Sequence, residues 1–282
     1  MFEKEVIECI LQYNPTGEIV DGTCKTIVVR DKNMAFHLIA IPFDGLHTIH
    51  RTYFQEKTLE YAEQGIKLVH LWQDGWVKHR DIVRSRVAVL SGTFQRIPAR
   101  QTMTWRIAKD VAHDFLMANH LQGAVKARYN YGLYYECQLV AVASFSAGRP
   151  ITRDGVEGQS FELIRYANLL HYRVVGGLGK LISRFIKDED PDDIMTYADL
   201  DWAPGKGYQA LKFERIDITP PQIFWVNPAE MIRYYPHRLP TPMIDEFNKQ
   251  KKFGNIGDFL KNKGYIKIYN AGNLKYLLMC GK

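Results

Sequence analysis

Cysteine is scarce. Cys9, Cys24, Cys137 and Cys280 stand far apart in a chain of 282 residues. That spacing excludes a zinc-type ligand cluster and predicts reduced thiols in a cytoplasmic protein. No apolar run reaches the roughly 18 residues of a membrane-spanning helix, and Met1-Phe-Glu-Lys-Glu-Val6 has no apolar signal core. No membrane partner is expected. Internal repeats and low-complexity tracts are also absent. No elbow-type turn brackets a nucleophile, so a Ser/His/Asp or Cys/His hydrolase has no foothold.

What is present is an ordinary globular composition, 46% hydrophobic and 24% charged. The length accommodates two domains, each able to bury a core. The net charge of +6 is uneven. Residues 205–282 hold 13 Lys+Arg against 6 Asp+Glu, while the remainder holds 24 against 25. The positive excess lies in the C-terminal quarter, among Tyr234, Tyr235, Phe253, Tyr265, Tyr269 and Tyr276. Basic residues interleaved with aromatics suit a phosphate backbone and stacked bases. A solvated basic surface is the alternative. Lys251, Lys252, Lys261 and Lys263 are the candidate nucleic-acid-binding residues.

Hydrophobic periodicity predicts a helix at 4–11, strands at 26–29 and 34–43, and a helix at 52–64 stopped by Gly65. A central strand at 66–72 and a helix at 77–91 follow. Residues 92–101 break the pattern and read as a linker, which sets domains at 1–95 and 96–282. The second domain should open with a strand at 103–108 and a helix at 109–120. Strands at 128–135 and 139–146 make a hairpin, and a loop spans 148–159. Further strands are expected at 213–218 and 223–226. Residues 228–262 read as irregular, and 264–279 as a hairpin turning at 270–273. The fold class is α/β (α+β).

The most informative stretch runs from Phe161 to Ile186. A strand-like run reaches a glycine-rich turn that opens an amphipathic helix carrying Leu178, Leu181, Ile182, Phe185 and Ile186. Val174, Val175, Gly176, Gly177, Leu178, Gly179 and Lys180 form the candidate cofactor-binding turn. Crowded N–H groups and the helix dipole favour a phosphate there, and Lys180 adds positive charge. A packing turn is the alternative. A buried strand at 193–199 then ends in Asp199, followed by Trp202, Gly205, Gly207 and Tyr208.

This order resembles the acyl-CoA-binding half of the GNAT acyltransferase superfamily, whose pyrophosphate turn follows the fourth strand. Gly177 and Gly179 match its (Arg/Gln)-x-x-Gly-x-(Gly/Ala) pattern, and Val174 stands where Arg or Gln is usual. The resemblance implies a mixed-sheet fold and acetyl-CoA or another acyl-CoA as cofactor. It also implies Glu162 or Asp199 as the base that accepts the amine proton, and Tyr208 as the acid at the thiolate. Tyr208 could equally be a core aromatic, and Asp199 could cap the following turn. Asn119, His120, Gly123, Glu162, Leu163, Tyr197, Ala198, Asp199 and Tyr208 are similar to Mom-type DNA-modifying proteins of phages.

The whole chain resembles homing-endonuclease-like proteins of phages and mobile elements. These join a nuclease domain, related to very-short-patch-repair endonucleases, to a GNAT-like domain. The carrying segments include 43–46, 65–76, 80–87, 115–123, 131–134, 174–180 and 264–276. A metal-dependent nuclease needs clustered carboxylates. Pro42 stands where that family has Glu, Thr26-Ile-Val-Val29 lacks the first-strand acid, and Gln73 replaces Glu. Asp74, Asp44, His47 and His50 survive. The expectation is no bound metal and no cleavage. His70, in an apolar strand, reads as a hydrogen-bonded core histidine. Two functions remain open: an N-acyltransferase acting on a nucleic-acid-linked amine, and a DNA-binding protein with little or no catalysis.

Overall fold

Buried apolar strands such as Thr26–Val29, Met34–Ile39 and Gln138–Phe145 alternate with amphipathic helices. The computed structural model describes residues 1–42, 45, 49–153, 155–202, 205–250 and 253–280. The elements run α1 (Phe2–Tyr13), β1 (Glu18–Val20), β2 (Thr26–Val29), β3 (Met34–Ile39), α2 (Tyr53–Glu63), β4 (Lys67–Trp72), α3 (Gln73–Lys78) and α4 (Arg80–Leu90). They continue as β5 (Gln95–Pro98), β6 (Met103–Arg106), α5 (Lys109–Asn119), β7 (Tyr129–Tyr135), β8 (Gln138–Phe145), β9 (Arg149–Arg153), β10 (Val156–Asn168), β11 (Tyr172–Val175) and α6 (Gly177–Glu189). Then come β12 (Asp193–Asp199), α7 (Lys206–Gln209), β13 (Glu214–Ile218), β14 (Ile223–Asn227) and β15 (Ile232–Tyr234). The chain ends with α8 (Thr241–Lys249), α9 (Ile256–Asn262), β16 (Ile266–Tyr269) and β17 (Asn273–Met279). The class is mixed α/β, as expected. No helix among the described residues is long and apolar enough to cross a membrane.

The chain divides into two units that share sequence alternately. One holds Met1–Arg80, Asp199–Pro204 and Thr219–Asn273; the other holds Asp81–Ala198, Gly205–Ile218 and Leu274–Lys282. A single cut at residue 95 does not describe this division. Helix α4 belongs with the second unit, and 219–273 returns to the first.

In the first unit β1, β2 and β3 pair antiparallel and β4 adds parallel to β3. All six residues of β3 are buried. The central position expected of 66–72 is not found, since β4 ends the sheet. The His70 N–H instead donates to the Asp201 carbonyl at 2.8 Å, so the edge is covered and reads as apolar as a central strand. Residues 228–250 and 253–262 are folded, contrary to expectation. Strands β15, β14 and β16 make a small sheet, and α8 and α9 pack on it through Trp225, Leu239, Phe259 and Leu260. The prolines that suggested irregularity include Pro242 in the first turn of α8, where its missing N–H costs nothing.

The second unit is built on an eight-stranded sheet ordered β13-β17-β12-β10-β8-β7-β6, with β9 paired to β10. The β7–β8 hairpin turns at Glu136 and Cys137, with φ of 47° and 64°, which matches strand twist. Three expectations fail here. Residues 92–101 are not a linker, because β5 pairs parallel with β11. The loop at 148–159 is a β9–β10 hairpin. The tail is not a hairpin, because β16 pairs with β14 while β17 pairs with β13. Helix α6 covers one face through Phe185, which stacks on Phe145 with ring centroids 3.9 Å apart and meets Phe161 edge-on. Helix α5 covers the other through Ala112, Phe115 and Leu116 against Val142 and Ala167. These two layers place the start of α6 beside β10.

Candidate active site

Strands β10 and β12 run parallel for only four residue pairs, Ser160–Leu163 opposite Asp193–Thr196. The register of β10 against β8 then shifts between Leu163 and Arg165, a β-bulge that bends the strand. Beyond it β10 stays with β8 alone, so the sheet opens on the β12 side. Two tyrosines bracket the opening. The Tyr166 hydroxyl donates to Asn168 Oδ1 at 3.0 Å and accepts the Leu178 N–H at the start of α6. Tyr208 hydrogen bonds through its hydroxyl to the Thr196 side chain, the last residue of β12 paired with β10. Burial raises both phenols above the ordinary tyrosine value. Sequence reading missed Tyr166 and Thr196. The signal available was a polar tip at strand positions that alternation assigns to the interior.

The glycine turn sits at this opening. Gly176 has φ of 80°, and the Lys180 N–H closes the first helical bond to its carbonyl at 3.0 Å. A Cβ on Gly177 would lie 2.9 Å from Val174, and one on Gly179 would lie 2.9 Å from Leu211 Cδ2. Leu178 donates to Tyr166, whereas the N–H groups of Gly177 and Gly179 meet no acceptor among the described residues. Lys180 departs from its expected role. Its ammonium donates to the carbonyls of Ala99, at 2.9 Å, and Thr102, with Thr102 Oγ1 at 3.5 Å. Three acceptors occupy its three N–H bonds, so it fastens the segment after β5 and is not free to bind an anion. Val174 is buried and Val175 is exposed, and neither offers a side-chain donor.

The three expected catalytic residues do not converge on one side. Glu162 and Met195 are register partners on one face of the sheet, and Glu162 acts on the Tyr197 hydroxyl, which burial chiefly raises, with Arg149 nearby. Side chains alternate along β12, so Thr196 and the Tyr208 hydroxyl belong to the opposite face. Tyr208 packs on Phe213 and Tyr276, with centroids 5.6 and 5.5 Å apart. Asp199 sits where β12 enters the first unit, and its Oδ1 caps the Asp201 N–H at 3.0 Å. That bond is the turn cap that sequence left open as an alternative. His120 ends α5, with Nδ1 accepting the Gln122 N–H at 3.2 Å. Burial, aided by Arg86 and Arg165, lowers its pKa to about 3.

In the first unit Asp74 is buried and held by Arg233 Nε and Nη2, at 2.7 and 2.8 Å. Arg233 also lies over Trp72 and Phe224, at 5.1 and 5.0 Å. A carboxylate clamped this way is a structural anion. Gln73 Oε1 accepts the Ile41 N–H, and His50 pairs with Glu56 at 2.7 Å. Asp44 and His47 lie outside the described residues. His70 is the expected core histidine, with Nδ1 at 3.0 Å from His37 Nδ1 and Nε2 at 2.8 Å from Thr58. Among the described residues no group of His, Cys, Asp or Glu is placed to hold a metal. Of the candidate lysines, Lys251 and Lys252 are outside the described residues. Lys261 is exposed, and Lys263 is neutralised by Glu246 and rests over Phe259.

No family model matches the sequence, and no curated protein does. Solved structures show a distant likeness. Eis1 from Mycobacterium abscessus is 12% identical over 44% of this chain and 33% of its own, with a TM-score of 0.33. The chain thus spans about a third of that protein's length. Arabidopsis thaliana Naa50, solved with a bisubstrate CoA analogue, is 12% identical over 42% of this chain and 87% of its own, with a TM-score of 0.33. A GNAT family acetyltransferase from Elizabethkingia anophelis with acetyl-CoA bound is 9% identical over 64% and 98%, with a TM-score of 0.33. At this distance a likeness assigns no substrate and no role to any residue.

Proposed function

We propose that the second unit binds an acyl-CoA and transfers its acyl group to an amine. The observation that carries the reading is the opening between β10 and β12 beyond Leu163 and Thr196, with the unpaired Gly177 and Gly179 N–H groups beside it. Two N–H groups left without an acceptor at a helix start favour a pyrophosphate. An acyl-CoA supplies a thioester carbonyl and a thiolate leaving group. Glu162, on one face, accepts the proton of the attacking amine. Tyr208, on the other, keeps its proton at neutral pH and returns it toward the sulfur side. The split of these residues across the sheet suits acceptor and cofactor entering from opposite faces. Lys180 supports the turn from behind.

Thermal shift or calorimetry with acetyl-CoA and CoA tests this directly. Ligand at a hundred times its dissociation constant stabilises the fold by about 2.7 kcal/mol. The diagnostic variant is Gly179→Glu, because the Leu211 methyl can yield there, whereas any side chain on Gly177 meets Val174 and Leu133. It places a negative charge at the turn and is expected to abolish the shift. No shift at millimolar ligand rejects the acyltransferase reading and favours the nucleic-acid-binding one.

A further inference from the structure

The β5–β11 ribbon carries an arrangement that packing alone leaves unexplained. Its parallel register sets Arg96 directly opposite Arg173, and Ile97 opposite Val174. Ile97 and Val174 are buried, so alternation turns both arginines outward together, and both are exposed. Like charges directly opposite one another destabilise a strand pair. Arginine cannot relieve this by losing its proton. Neither residue has an acidic partner among the described residues, and Arg173 instead lies over the Phe94 ring at 5.6 Å. Arg100 is exposed just beyond the ribbon, and neighbouring Ala99 lies 3.5 Å from where a Gly176 Cβ would be. The whole stretch 81–106 holds Arg84, Arg86, Arg96, Arg100 and Arg106 against the single acid Asp81. Strand β11 ends one residue before Gly176. Arg96 and Arg173 therefore stand on the ribbon whose strand β11 runs directly into the turn with the unpaired N–H groups.

We propose that Arg96 and Arg173 form a phosphate-binding fork for the 3′-phosphate on the nucleotide end of the acyl-CoA. This rests on the acyl-CoA reading above and extends it to a second anchoring point. A phosphomonoester carries nearly two charges and several acceptor oxygens, and two side-by-side forks can each engage it in bidentate fashion. The phosphate also removes the repulsion across the ribbon, so binding and ribbon stability are coupled. Phe94, which already carries Arg173, fixes that guanidinium in position.

The test is calorimetry with CoA and with CoA lacking its 3′-phosphate, on the unaltered protein, on the Arg96→Ala/Arg173→Ala variant and on Arg184→Ala. Arg184 is exposed and paired with Asp188 on α6, which makes it the charge control. The expected result is CoA binding about tenfold or more tighter than the dephosphorylated form, the scale of one or two charged hydrogen bonds. The double variant loses that preference and Arg184→Ala keeps it. Melting temperature in the absence of ligand should stay level or rise in the double variant, because a repulsive pair has been removed. Equal affinity of the unaltered protein for the two cofactors overturns the fork and leaves the acyl-CoA reading standing. Failure of both cofactors to bind, with salt-sensitive binding of an oligonucleotide that the double variant lacks, overturns both and assigns the arginines to a nucleic acid.

Discussion

At the scale of single residues, Tyr208 is the most exposed to test. Tyr208→Phe keeps the contacts with Phe213 and Tyr276 and deletes only the hydroxyl on Thr196. The expected outcome is a fall in kcat of about a hundredfold, typical of lost general-acid catalysis, with KM for acyl-CoA little changed. Steady-state kinetics separates the two constants. A role confined to packing would leave kcat intact. In the first unit the His37–His70 pair makes a pH prediction. Burial lowers the His37 pKa to about 4 and holds His70 well below its ordinary value. Both are therefore neutral when folded and protonate more readily when unfolded. Their contribution is present above about pH 6.5 and is lost as pH falls toward 4. Asp201, raised by burial and by Asp199, acts with the opposite sign, favouring the fold as pH falls. Melting temperature against pH should therefore show a steeper acid loss in Asp201→Asn. His37→Gln should flatten that loss.

Elements were legible where the period was clear and blurred where partners lie far off in sequence. The hairpin at Glu136 and Cys137, the helix over Gly177–Glu189 and the strand over Asp193–Asp199 follow from local pattern. Strand β5 did not, because four residues with Pro98 at the end carry no period, and its partner lies more than 70 residues away. The glycine turn was legible as a turn, but the fate of Lys180 depended on the Ala99 and Thr102 carbonyls, which only tertiary folding brings to it. Asp74 appeared as a surviving metal ligand because Arg233 is 159 residues away. Its clamp yields an element-scale prediction. Arg233→Met leaves a buried carboxylate unpaired where α3 meets β15, and should destabilise the first unit by about 3–5 kcal/mol in a denaturant titration. The added change Asp74→Leu should recover most of that loss. Simple loss of packing by arginine would show no recovery.

At the scale of the whole molecule, each unit is assembled from three separate stretches of chain. Composition could show length for two cores but not which segments share one. A fragment ending at residue 95 lacks Thr219–Asn273, including the Arg233 that holds Asp74. It is expected to remain unfolded by circular dichroism, whereas a natively folded fragment would contradict the interleaving. In the second unit the start of α6 lies beside the opening between β10 and β12. Calorimetric titration of the full chain with acetyl-CoA tests most directly whether an acyl-CoA binds there. Saturable one-to-one binding that disappears in Gly179→Glu is the predicted result. Absence of heat and of any thermal shift at millimolar acetyl-CoA, in protein shown to be folded, would contradict it.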